Sequence, residues 1–101
     1  LQADSAIITS TRAMNLFREI GNKPALAYCF YTLGNAYALK KQFSRAAGYY
    51  REAQTLNETL GNKEGIALSF IGLAQTSSAS GLHTEAAMLF EQAAALAESI
   101  G

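Results

Sequence analysis

Gly21-Asn22-Lys23 returns as Gly61-Asn62-Lys63, and Gly101 falls one further step of 40 residues along. A fixed period of that length restricts a chain to repeat architecture, in which one supersecondary unit is copied and stacked. Laying residues 21–60 over 61–100 matches Ala27 with Ala67, Phe30 with Phe70, Leu33 with Leu73, Tyr50 with Phe90 and Ala53 with Ala93. The matched residues are small or apolar and recur at helical spacing, so what repeats is packing.

The first twenty residues fit the frame as half a unit, with Ala6, Ala13 and Leu16 in register with Ala46, Ala53 and Leu56. Asp4, Ser44 and Thr84 stand at equivalent places and predict N-terminal caps. Gly21, Gly61 and Gly101 predict left-handed turns past the C-termini. Three equivalent helices follow, at about 4–20, 44–60 and 84–100. Between them lie two more. One starts at Asn22 or Lys23, tolerates Pro24 in its first turn and ends near Lys40. Its copy runs from about Lys63 to Ser80, before Gly81. With half the residues hydrophobic, a single proline and no alternating β-branched run, the chain is predicted to be all-α. It reads as one domain of five helices with short, antiparallel connections: a half repeat 1–20 and repeats 21–60 and 61–101. The start at Leu1, partway through a unit, predicts a piece of a longer array.

A family likeness rests on Phe30-x2-Leu33-Gly34-x2-Tyr37, then Ala46-x3-Tyr50, then Ala53. The second copy reads Phe70-x2-Leu73-Ala74-x2-Ser77, then Ala86-x3-Phe90, then Ala93. The chain resembles the tetratricopeptide repeat in its longer variety, roughly 40 residues per unit, over its whole length. It is similar to repeats of bacterial signalling ATPases, MalT-like transcription activators and animal scaffold proteins. It departs from the pattern in lacking tryptophan and in carrying Glu58 and Glu98 at the late proline position. The resemblance implies helix pairs stacked as a right-handed superhelix, in B-A-B-A-B order. It also implies a concave face lined by the first helix of each pair. The extra residues per unit are expected in the second helix and the turn after it.

Charge sums to zero but is unevenly laid out. Residues 1–51 hold seven Lys and Arg against Asp4 and Glu19, while residues 52–101 hold Lys63 against six glutamates. Solvated helix faces account for this. Head-to-tail stacking of subunits, or docking to flanking repeats, is the sharper reading. No dense basic stripe with exposed aromatics marks a nucleic-acid surface, and no apolar run reaches the ~18–20 residues of a bilayer span. Cys29 reads as a small buried thiol and His83 as a packing residue aligned with Phe43. One Cys and one His cannot complete an ordinary zinc site. No phosphate loop, nucleophile elbow or metal-binding helix is present, so no catalytic, metal or cofactor site is expected and the chain is read as non-enzymatic. The lone Cys and the lack of an export feature point to the cytoplasm.

The stretch Ala25–Leu39 carries no charge, and neither does Gly65–Thr84. On the first, Phe30, Leu33, Gly34 and Tyr37 make one stripe, with Gly34 allowing close approach of the paired helix. Tyr28, Tyr31, Asn35 and Ala38 make a second. Its copy is Leu68, Ile71, Gln75 and Ser78. A helix apolar nearly all round is buried on both sides or shows an apolar surface to something. The second stripe is therefore either interior packing or a partner-binding groove. Asn35 and Gln75 offer both a donor and an acceptor to a peptide group. Three functions remain open: a groove for a protein or peptide partner, a regulatory segment of a larger signalling ATPase or transcription activator, and a self-assembling spacer. Self-association through exposed repeat ends goes with the last.

Overall fold

The uncharged stretch starting at Lys23 is a single helix because Asn22 caps it and little inside interrupts it. The Asn22 Oδ1 accepts from the Ala25 N–H at 3.2 Å, and Pro24 sits in the first turn, where its missing N–H costs nothing. The repeat does the same again: Asn62 Oδ1 accepts from the Gly65 N–H at 3.1 Å. The computed structural model describes residues 2–100, in the order α1 (Gln2–Ile20), α2 (Lys23–Leu39), α3 (Phe43–Leu60), α4 (Lys63–Ala79) and α5 (His83–Ile100). No strand occurs among the described residues.

The four junctions share one design. At each, the residue just before the next helix donates its N–H back five residues: Asn22 to Phe17 O, Gln42 to Tyr37 O, Asn62 to Asn57 O and Leu82 to Ser77 O. The residue before it donates back three, as Lys41 does to Ala38 O at 2.9 Å. This closes each helix with a Schellman turn. The same returning residue then accepts the first bond of the next helix, for example Gln42 O from the Ala46 N–H. The left-handed position recurs at Gly21, Lys41, Gly61 and Gly81, with φ of 76°, 60°, 68° and 86°. The turn thus recurs twice per 40-residue unit, and Lys41 is where glycine is missing. An L-residue there costs ~1–2 kcal/mol. Lys41→Gly is expected to stabilise the chain by about 1 kcal/mol, raising Tm by ~4–8 °C for a domain of this size. Thermal melts of the two proteins check this.

Three expectations about the ends need correcting. Ser44 and Thr84 do not cap: both lie inside the first turn of their helices, Gln42 holds the N-cap of α3 without a side-chain bond, and Asp4 lies inside α1. The Schellman turn already places the backbone of Gln42, so the helix starts before the cap-like serine is reached. The turn after the second helix is not longer than the one before it; two residues separate α3 from α4 and three separate α2 from α3. The length is shared, with 17 residues in α2 and α4 and 18 in α3 and α5. Third, His83 is exposed at the start of α5 rather than packed. Gly101, expected as the last turn residue, lies outside the described residues.

Each helix packs on the next in sequence, and α2 also touches α4, whereas α1, α3 and α5 do not pack on one another. The result is a slab of 35 × 30 × 17 Å with α2 and α4 in one layer and α1, α3 and α5 in the other. One core cluster joins Met14, Cys29, Phe30, Leu33 and Ala53, and a second joins Ala46, Tyr50 and Leu73. Burial pushes the Cys29 thiol above its ordinary pKa, as fits a packing residue. At the surface, Lys40 Nζ donates to Asp4 Oδ1 at 2.7 Å, tying α2 to α1 and holding that carboxyl below its usual range.

Tyr50 is the centre of the second cluster. Its ring lies between two helices of the other layer, at positions where each carries glycine. A Cβ on Gly34 would stand 2.6 Å from the Tyr50 Cε1, and one on Gly72 would stand 2.5 Å from it. The close approach expected of Gly34 is present, and Gly72 completes it from the next repeat.

Candidate partner-binding face

The two stripes of α2 face differently. Phe30 and Leu33 are buried, and Tyr37 is half-buried with its ring stacked on Tyr49 at 5.6 Å between centroids. On the second stripe none of the four residues is buried. Tyr28 is 67% exposed, and Tyr31, Asn35 and Ala38 are half-buried. The copy on α4 behaves alike: Leu68 is 45% exposed, Gln75 is exposed, and Ile71 and Ser78 are half-buried. All eight residues lie on the layer formed by α2 and α4, with Tyr31 and Ala38 packed against the core and the others outside it.

They are not equally free. The Tyr31 ring is 5.9 Å from that of Tyr50, tilted 52° to it. Asn35 Oδ1 accepts the Tyr50 hydroxyl at 2.6 Å. Asn35 thus has its oxygen turned to the core, and its amide N–H groups are what remain for other work. Tyr50 is 2% exposed, and burial, with Tyr31 beside it, pushes its hydroxyl up to about 12, so the bond to Asn35 is a neutral one throughout the ordinary pH range.

Tyr28, Tyr31 and Leu68 come together with Ala27, Asn57 and Gly65 around a cavity of ≈ 270 Å³ between the first turns of α2 and α4. Here the two repeats meet in one site. Its floor is polar. Asn57 is buried, and its Oδ1 accepts from Asn62 Nδ2 at 3.4 Å. Gly65 keeps the α4 backbone low over it: a Cβ there would stand 2.5 Å from the Asn57 Cγ. Ala38, Gln75 and Ser78 lie beyond this cavity, further along the same layer. Asn57, Asn62 and Gly65 were not marked by the stripes. Asn57 belongs to the second helix of its repeat, and its register partner in α1 is Phe17, so comparison of units gives no hint of it. Glu64 is the one charged residue on the cavity wall.

Among the described residues no group of His, Cys, Asp or Glu side chains is placed to hold a metal ion, and no helix is long and apolar enough to cross a membrane. No protein-family model matches this chain, and no curated protein is significantly similar to it.

Proposed function

We propose that this chain is a non-enzymatic interaction module of tetratricopeptide type, whose α2–α4 layer is the concave wall of a right-handed superhelix. It binds an uncharged, apolar-containing segment of a protein partner, extended or helical. The observation that carries this reading is the exposure of an aromatic and aliphatic row, Tyr28 and Leu68 above all, on helices that bear no charge from Ala25 to Leu39 and from Gly65 to Ala79. A solvated face that needed no partner would carry charges there. Tyrosines offer contact area at small entropic cost, and the amides of Asn35, Gln75 and Asn57 supply donors and acceptors for a peptide backbone. The absence of a basic residue on these rows disfavours an acidic C-terminus as ligand. The reading places the module in a reducing, cytoplasmic setting in which Cys29 stays a thiol.

A random-peptide library selected on the immobilised chain tests this. Selection is expected to enrich uncharged peptides with aromatic or aliphatic anchors. The Tyr28→Ala/Leu68→Ala protein is expected to lose that enrichment, with binding weaker by ~10-fold or more, as for hot-spot truncation. Both side chains are exposed, so its melting temperature should move little. Equal enrichment on the two proteins, or none on either, would overturn the reading.

A further inference from the structure

The opposite layer holds two grooves in register, and their charges are reversed. The first runs between α1 and α3 as two adjoining cavities of ≈ 520 and ≈ 480 Å³, sharing Arg18, Phe30, Gly48 and Glu52, with Arg45 in one and Arg51 in the other. The second, of ≈ 680 Å³, runs between α3 and α5. One repeat on, Arg18 becomes Glu58, Arg45 becomes Glu85 and Arg51 becomes Glu91. Glu58 and Glu85 line the second groove, one from α3 and one from α5, and Arg51 stands on the α3 wall with Glu58. With three arginines against Glu52 the first groove is net basic over an aromatic floor, and with Glu58 and Glu85 against Arg51 its repeat is net acidic on the same template.

The arginines of the first groove are presented rather than consumed. Arg18 lies over the Phe30 ring at 5.9 Å and Arg45 over the Tyr37 ring at 5.5 Å. That floor is itself ordered, with Phe30, Tyr49 and Tyr37 stacked in series at 6.2 and 5.6 Å. Stacking holds a guanidinium in place and leaves its N–H fork open to a carboxylate. Among the described residues none of the three arginines makes an ion pair. Gly48 adds room: a Cβ there would meet nothing within 4 Å, so no contact inside the molecule explains a mid-helix glycine that costs ~0.5–1 kcal/mol.

We infer that this basic groove receives helix α5 of a second copy of the chain. α5 packs only on α4, which leaves it as an edge. It shows an exposed ridge of Met88, Glu91, Ala95 and Glu98. Glu91 and Glu98 are seven residues apart, ~10 Å along a helix, and Arg45 and Arg51 are six apart, ~9 Å. Met88, 61% exposed, meets the apolar floor when those carboxylates meet the arginines. The acidic groove between α3 and α5 repels the same ridge, so the charge reversal selects which groove is used. Groove and ridge are different surfaces, so the contact is heterologous, and each copy that offers its ridge still has an open groove. This docking uses the layer opposite the α2–α4 face and stands independently of the ligand assigned to that face.

Sedimentation at low ionic strength, over a range of protein concentrations, tests it. Mass is expected to grow with concentration beyond the dimer and to fall back to the monomer near 0.5 M salt, where the Debye length shrinks to ~4 Å. Arg45→Glu/Arg51→Glu is expected to remain monomeric and Glu91→Arg/Glu98→Arg to lose the contact with the arginine groove, each with unchanged helicity because all four side chains are exposed. Mixed together they are expected to associate again, since each then offers what the other's altered surface needs. A monomer under all conditions would overturn the inference, as would association insensitive to salt or to the arginine swap. Failure of the two swapped proteins to associate on mixing would do so too. So would a wild type that stays monomeric while its groove takes up single-stranded DNA.

Discussion

Tyr50→Ala is expected to cost ~3–5 kcal/mol of stability, the usual cost of emptying a large aromatic site in a core. In a domain whose total stability is of order 5–15 kcal/mol, that takes the chain to the edge of unfolding at 37 °C. The reason is position. Tyr50 comes from α3, its ring lies between α2 and α4, and its hydroxyl reaches Asn35. No small side chain can fill the gap, because both neighbouring helices carry glycine at the point of contact. Tyr50→Phe keeps the ring and removes one hydrogen bond, so it should cost only ~1 kcal/mol. Chemical denaturation of the three proteins separates the ring from the hydroxyl.

The same residue sets an alkaline limit. The folded state raises the hydroxyl pKa from 10.0 to about 12, so folding favours the protonated phenol. This contribution is fully present below pH 10 and is lost as pH climbs through 12, since the unfolded chain then ionises first. Stability measured across that window should fall by ~2–3 kcal/mol. In Tyr50→Phe that part of the fall should be missing.

Gly34→Ala and Gly72→Ala are expected to destabilise by ~1–3 kcal/mol each, the scale of overpacking a filled core. The sign is the informative part, because Gly→Ala inside a helix ordinarily gains ~1 kcal/mol. Here the new methyl would meet the Tyr50 ring at 2.6 and 2.5 Å. A ring held from both sides cannot step away. Gly48→Ala, in open space on α3, should instead show the ordinary gain. Combining Gly72→Ala with Tyr50→Leu should cost less than the sum of the two, because the smaller side chain leaves room for the methyl. Urea midpoints of the single and double variants decide this.

Much of the fold was legible. The glycine step and the helical spacing place all five helices to within two residues of their observed ends. Cys29 and the Phe30–Leu33 stripe are core as expected. What was not legible follows from how the units interlock. Column-by-column comparison pairs Gly34 with Ala74, yet the glycine that completes the Tyr50 slot is Gly72, aligned with Thr32. A slot is formed by one helix and its two neighbours, so a large residue in one unit is matched by a small one in the next, out of register. Lys41 hid the twenty-residue turn period for a different reason: backbone bonds can hold a lysine in the left-handed region, so the turn survives without its usual residue. The cap-like Ser44 and Thr84 misled because the preceding Schellman turn had already set where the helix starts.

The candidate face was legible as two rows of side chains, and the structure places all eight residues on one layer. The cavity between Tyr28 and Leu68 was not, because part of its wall comes from Asn57 and Gly65. These have no periodic signature and gain their place only when α3 and α4 fold together.

The most direct test of the central claim, that the α2–α4 layer is where a partner binds, is chemical-shift mapping. A selected uncharged peptide is titrated into isotope-labelled protein. The amide shifts are expected to cluster over residues 24–38 and 57–78, strongest at Tyr28, Leu68 and Gly65, with α1 and α5 nearly silent. Shifts concentrated on α1 and α5, with the α2–α4 layer unmoved, would contradict it.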